Sequence, residues 1–126
     1  LLNIFAPRSP SEFARIVCPG GVLVVVIPTA EHLHEARAAL RLLAIEEEKE
    51  AHVTAQFADA FTLAEARTLA YDLALTQADL RDLVTMTPNA WHARRRDEHT
   101  PNAIDALPGG LHVRAAFRLL RFIRQL

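Results

Sequence analysis

Several stretches of the chain carry an apolar pattern regular enough to predict an element. Leu1-Leu2-Asn3-Ile4-Phe5 reads as a buried strand running into Ala6-Pro7. Ser9-Pro10-Ser11-Glu12 opens a helix, because a serine ahead of a first-turn proline and an early acid are helix-start signals. Phe13, Ile16 and Val17 then follow helical spacing until Pro19-Gly20-Gly21 stops it. Val22 to Ile27 is apolar throughout and largely β-branched, the pattern of a strand covered on both faces. Pro28-Thr29 closes it, and Thr29 is placed to cap a helix with Glu31 in its first turn and Leu33, Ala36, Leu40 and Leu43 along it.

Beyond Ile45 the pattern weakens. The charge run Glu46-Glu47-Glu48-Lys49-Glu50 reads as a solvated helix end. From Phe61 to Leu75 alanine-rich propensity favours helix, whereas Leu63, Leu69, Tyr71, Leu73 and Leu75 share one parity and favour a strand, which is the reading taken. Thr76 caps a helix carrying Leu80, Leu83 and Val84, with Pro88 beyond its end. Residues 89 to 109 look irregular, and Leu111 to Ile123 forms a closing strand with Val113, Ala115, Phe117 and Leu119 on one side. Strand, helix, strand, helix is the rhythm of an α/β fold built on a parallel sheet.

Composition narrows the class. With 126 residues, 51% hydrophobic and 23% charged, the chain is sized for one domain with a real core and is unlike a disordered segment. The longest apolar run, Gly21 to Ile27, falls well short of the roughly 20 residues that span a bilayer as a helix. The opening LLNIFAPRSP lacks the order of a signal peptide. A single cysteine, Cys18, gives no disulfide framework, so a reducing cytoplasm is the expected setting and no membrane is expected. Residues 1 to 93 hold 7 Lys+Arg against 12 Asp+Glu, and residues 94 to 126 hold 7 against 3. That asymmetry fits either a surface facing a polyanion or a solvated arginine face. The chain lacks an initiator methionine and opens on a strand pattern, so it is expected to be part of a longer protein.

Taken in order, Phe5-Ala6-Pro7, Glu12-Phe13-Ala14-Arg15, Pro19-Gly20-Gly21, then Pro28, His32, Leu33 and Glu35, and finally Met86-Thr87-Pro88-Asn89-Ala90-Trp91 form a recognisable series. The series resembles the C-terminal half of the bacterial 23S rRNA guanine-N(1) methyltransferases, which are class I S-adenosylmethionine-dependent enzymes. The Pro-Gly-Gly turn before an apolar strand is common to many class I methyltransferases. The Met-Thr-Pro-x-Ala-Trp block is what narrows the resemblance to the rRNA group, although Asn89 and His92 stand where the family more often has an aromatic and an arginine.

The resemblance implies a Rossmann-like sheet of about four strands with flanking helices, its last strand antiparallel and inserted between the second and third. It also implies that a zinc-binding cysteine cluster and a Gly-rich cofactor loop lie in an N-terminal region absent from this chain. Among the residues present, it implies catalytic roles for Asn3, Phe5, Pro7 and His32, and contact with S-adenosylmethionine by Ile4, Phe5 and Ala6. Phe5 would stack on a flipped guanine and Pro7 fix the turn; without the resemblance, Phe5 reads as a core aromatic and Pro7 as a strand end. His32 is the titratable candidate for accepting the guanine N(1) proton.

Substrate contacts fall to Met86, Thr87, Pro88, Trp91 and the phosphate-holding run Arg94-Arg95-Arg96, with Arg114, Arg118, Arg121 and Arg124 as weaker candidates. The alternative is an aromatic packed beneath a loop and arginines in solvent. No metal site is expected, since His32 and His34 are two apart on a helix, and Cys18 reads as a packing residue.

The expected function is rRNA methylation by an intact parent, with ribosomal RNA as partner and this fragment inactive alone. A stand-alone α/β dimerisation domain without catalysis and a small-molecule methyltransferase fragment remain open. A bare edge on the first strand predicts a homo-oligomer.

Overall fold

The computed structural model describes residues 1–42, 49–86 and 99–126. Strands β1 (Leu2–Ile4), β2 (Val22–Pro28), β3 (Phe61–Leu75) and β4 (Leu111–Arg124) form one sheet in the order β1-β2-β4-β3. β1 runs parallel to β2, with Asn3 opposite Val25. β4 runs antiparallel to β2, with Val25 opposite Leu120 and Pro28 opposite Phe117. The fold is therefore α/β, and the last strand is antiparallel and inserted between the second and third, the arrangement the methyltransferase resemblance implies.

Five helices accompany the sheet among the described residues: α1 (Pro10–Ile16), α2 (His34–Leu40), α3 (Lys49–Phe57), α4 (Gln77–Met86) and α5 (His99–Asp105). None of these helices is long and apolar enough to cross a membrane. The chain divides into two compact units, one of Leu1–Ala30, Ile45–Ala70 and Ala116–Leu126, the other of Glu31–Ala44 and Tyr71–Ala115.

In the first unit Leu23, Val25 and Ile27 of β2 meet Val53 and Phe57 of α3, Phe61 of β3, and Leu120 and Phe122 of β4. Phe57 is the hub, stacked on Phe13 at 5.9 Å, edge-on to Phe61 at 5.7 Å and tilted against Phe122 at 5.3 Å. Each such buried side chain contributes roughly 1.5–3 kcal/mol. α1 adds Phe13 and Ala14 to this core, Val17 just after it joins them, and its first turn holds Pro10 and Glu12. It ends at the Pro-Gly-Gly turn, where Gly20 takes a positive φ of 76° and its N–H donates to the Arg124 carbonyl at 2.9 Å.

The second unit packs Ala36 and Leu40 of α2 with Leu80 of α4, Ile104 of α5 and Val113 of β4. α4 starts on a reciprocal cap: the Thr76 hydroxyl and backbone N–H donate to the Asp79 carboxylate at 2.7 and 2.8 Å, and the Asp79 N–H donates back to Thr76 Oγ1 at 3.2 Å. Those bonds hold the Asp79 carboxyl below its ordinary pKa.

The structure corrects several sequence expectations. β1 is not a buried strand, because it lies at the sheet edge and Leu2 and Ile4 are 61% and 50% exposed. β2 buries only its odd-numbered face fully, with Val24 and Val26 half-covered. Thr29 caps no helix: its N–H and hydroxyl both go to the Ala116 carbonyl at 3.0 and 3.4 Å, and α2 begins only at His34.

Lys49 and Glu50 open a helix instead of ending one, since Val53 and Phe57, four apart, give α3 a core face. α5 occupies part of the stretch read as irregular; Pro101 falls in its first turn, where a missing N–H costs no helical bond. In β3, Leu69 and Tyr71 are exposed, as suits an edge strand. In β4 the odd parity fails beyond Ala115, because Val113 serves the second core whereas Leu120 and Phe122 serve the first.

Candidate functional site

Asn3 and Ile4 end β1, and the chain bends at Phe5 on its way to Pro7. Asn3 shares the buried face with Val25 and is 6% exposed. Its Nδ2 donates to the Pro7 carbonyl at 3.1 Å, closing the turn, while its Oδ1 is buried without a hydrogen-bond partner. Such an orphaned acceptor is uncommon in a folded chain.

Phe5 sits at φ 49°, in the left-handed region, which costs a bulky side chain roughly 1–2 kcal/mol. Its N–H donates to the Val26 carbonyl at 3.3 Å, and its ring lies 5.6 Å from that of Phe117 at 37°. Even so, Phe5 is 54% exposed. Phe5 is thus not the core aromatic that a reading without the resemblance gives. It is an aromatic held at the surface by a strained turn, paired with a second ring.

The end of β2 (Ile27, Pro28) and the residues after it (Thr29, Ala30) line a cleft of about 80 Å³ together with Lys49, Glu50 and Arg118. The carboxyl ends of β1 and β2 therefore carry both the exposed aromatic and a cleft, where open α/β sheets place their ligand sites.

Of the other sequence candidates, Ile4, Ala6 and Pro7 belong to the same turn. His32 belongs to the second compact unit, where its carbonyl accepts from Arg37 Nε at 2.8 Å. Burial, and secondarily the Arg37 charge, lowers the His32 pKa, so the imidazole is held neutral. Met86 closes α4 in that unit with its side chain 82% exposed. Thr87, Pro88, Trp91, Arg94, Arg95 and Arg96 lie outside the described residues.

The β4 arginines are engaged within the chain. Arg114 pairs with Asp72 at 3.1 Å, Arg118 with Glu50 at 2.7 Å and Arg121 with Glu65 at 3.3 Å. Arg124 donates to the Ala14 and Ala60 carbonyls at 3.2 and 2.9 Å and lies over the Phe61 ring. Among the described residues no group of three or more His, Cys, Asp or Glu is placed to hold a metal ion. Sequence reasoning took Phe117 for one of a row of packed strand residues; only the β2–β4 register, which sets it opposite Pro28, brings it to the Phe5 turn.

No known family model matches the chain. A Micromonospora griseorubida protein described as a 23S rRNA (guanine-N(1)-)-methyltransferase is 39% identical over 122 residues, covering 97% of this chain and 41% of that protein. The 23S rRNA (guanine(748)-N(1))-methyltransferase of Streptomyces fradiae is 39% identical over 108 residues, covering 86% of this chain and 38% of that protein. The chain matches proteins of the bacterial 23S rRNA guanine-N(1) methyltransferase family over most of its own length and part of theirs.

Against this family the present chain spans about two-fifths of the curated relatives it matches. A solved structure described as a methyltransferase from Bacillus halodurans C-125 aligns with 93% of this chain and 57% of its own, at 13% identity and a TM-score of 0.47.

Proposed function

We propose that the chain forms the target-side wall of an S-adenosylmethionine-dependent enzyme that methylates N(1) of a guanine in 23S rRNA. The observation that carries this reading is the Asn3–Pro7 turn, which spends backbone strain to hold the Phe5 ring exposed beside Phe117 at the carboxyl end of β1. Strain of this kind persists where the surroundings over-determine it, and it concentrates at functional sites. An exposed ring is what stacking on an extruded base requires.

When bound, S-adenosylmethionine supplies an electrophilic methyl on a sulfonium. Ile4, Phe5 and Ala6 are the residues here that would meet that end of it, and the apolar surface left open by Ile4 and Phe5 suits a dry transfer pocket. Phe5 orients the base, and Pro7 fixes the end of the turn. His32, kept neutral by burial, accepts the N(1) proton. Met86, Thr87, Pro88 and Trp91 border the substrate entrance, and Arg94, Arg95 and Arg96 hold phosphates.

The cofactor's main grip and a zinc site belong to a further N-terminal region in this reading, and the chain alone is inactive. An RNA substrate and a single thiol call for a cytoplasmic setting.

The test is a chimera in which this chain replaces the matching segment of the Streptomyces fradiae enzyme, assayed for N(1) methylation of 23S rRNA by primer extension. Methylation that is lost on Phe5→Ala is expected; a folded chimera that leaves the RNA unmodified overturns the proposal. Calorimetric titration of the chain alone with S-adenosylmethionine is expected to give no tight binding, and tight binding would put the cofactor grip in this half.

The edge of β1 favours one further assignment. Among the described residues β1 pairs only with β2, and its exposed Leu2 and Ile4 suit association with a second copy. Light scattering that finds only monomer at high concentration would remove that assignment.

A further inference from the structure

Asn3 is an anomaly for a strand residue of this sheet. Its neighbours on the buried face of β2 are Leu23, Val25 and Ile27, and it is the buried polar residue among the described positions. An aliphatic side chain there would leave no acceptor stranded, whereas Asn3 keeps Oδ1 buried and unpaired. Something other than packing must account for an amide at this position.

The amide's single hydrogen bond supplies the reason. Nδ2 reaches the Pro7 carbonyl four residues on, at 3.1 Å, and so spans the segment that contains Phe5. Among the contacts that hold Phe5 are that closure across the turn, its N–H to the Val26 carbonyl, and its ring against Phe117. The Val26 bond, at 3.3 Å, is long for an N–H to a carbonyl, and the ring contact leaves half of Phe5 in solvent. The Asn3 bond is shorter than the Val26 bond and is part-buried.

We infer that Asn3 is a positioning residue whose carboxamide clamps the Asn3–Pro7 turn and thereby sets the left-handed backbone and ring direction of Phe5, without itself contacting substrate. Its Oδ1 is closed off from solvent, so the atom that a bound base would have to reach is not available to it. The inference rests on the proposed role of Phe5 for its functional meaning, and on the turn geometry alone for its structural content.

Asn3→Leu separates the clamp from the fold. It removes the donor to Pro7 and the stranded acceptor together. Pro7 is exposed, so its carbonyl can turn to water, and the variant is expected to melt close to the unmodified chain. The readout is nuclear magnetic resonance of this chain with guanosine monophosphate as probe. Loss of the through-space contact between the Phe5 and Phe117 rings in Asn3→Leu, with the Phe57 core resonances unchanged, is expected; a retained ring contact overturns the clamp.

Phe5→Gly is the second variant, since glycine adopts positive φ freely. If the clamp holds Phe5 in strain, the turn amides of Phe5→Gly change little on adding Asn3→Leu, whereas equal perturbation in both backgrounds overturns the clamp. The probe distinguishes the two claims. Nucleotide shifts that disappear in both Phe5→Ala and Asn3→Leu support both, and a lost ring contact in a chain that never binds the nucleotide leaves the clamp standing and removes the role of Phe5 as a base platform.

Discussion

Arg118 donates from Nε and Nη2 to the two carboxylate oxygens of Glu50, at 2.7 and 3.3 Å, and from Nη1 to the Thr68 hydroxyl at 3.0 Å. Glu50 raises the Arg118 pKa further. A guanidinium used on three sides by its own chain is committed to the fold, which sets it apart from an arginine free to take phosphate. Both partners border solvent, so the pair is screened and worth about 1 kcal/mol. Arg118→Ala is expected to lower stability by that amount in urea unfolding, and adding Glu50→Gln should cost little more. Full additivity of the two changes would show that the pair is not coupled.

The turn before β4 gives a sharper stability test. Gly110 has φ 74°, and a Cβ built there would stand 2.0 Å from the Leu75 carbonyl oxygen, whereas Gly109 next to it has open space. Backbone cannot yield as a side chain tip can, so Gly110→Ala combines strain with a clash and is expected to destabilise by on the order of 2–3 kcal/mol or more. Gly109→Ala should stay within about 0.5 kcal/mol of the original. Thermal melts of the two variants that fall together would contradict this assignment.

The cap on α4 was legible in the sequence, and the reason is local: Thr76 and Asp79 are three apart, and nothing distant is needed to read them. Thr76→Ala removes one hydroxyl that both donates to and accepts from residue 79, and should cost about 1 kcal/mol. Thr76→Ser, which keeps the hydroxyl, is expected to recover most of that loss in the same denaturant assay.

The helix α1, strands β2 to β4 and the start of α4 were likewise readable, because each rests on spacing and on the residues that begin or end it. Thr29 misled for the opposite reason. It carries a good capping side chain, but β4 lies close enough to take both of its donors through the Ala116 carbonyl. The parity of β4 broke for a similar cause, since a strand that feeds two cores has no single buried side.

The site was legible only in part. Residues 3 to 7 are contiguous and carry a family pattern, so their grouping was visible from the chain. That Phe5 takes a left-handed backbone and stays exposed is not written in its spacing, and that Phe117, more than a hundred residues further on, is its ring partner depends on the β2–β4 register.

His32 offers a pH test that does not require activity. Burial first, and the Arg37 charge second, lower its pKa from the ordinary 6.5. Above 6.5 the imidazole is neutral in both folded and unfolded chains and contributes no pH dependence. As pH falls below 6.5 the unfolded chain takes up a proton that the folded chain resists, so the unfolded state gains and stability declines until pH reaches the lower folded value. Stability should therefore fall on acidification through this window, and His32→Gln should flatten that part of the profile relative to the original chain. The comparison between the two chains isolates His32 from the other histidines. Identical acid limbs in urea midpoints measured against pH would mean that His32 is not held neutral, and would remove it as the proton acceptor.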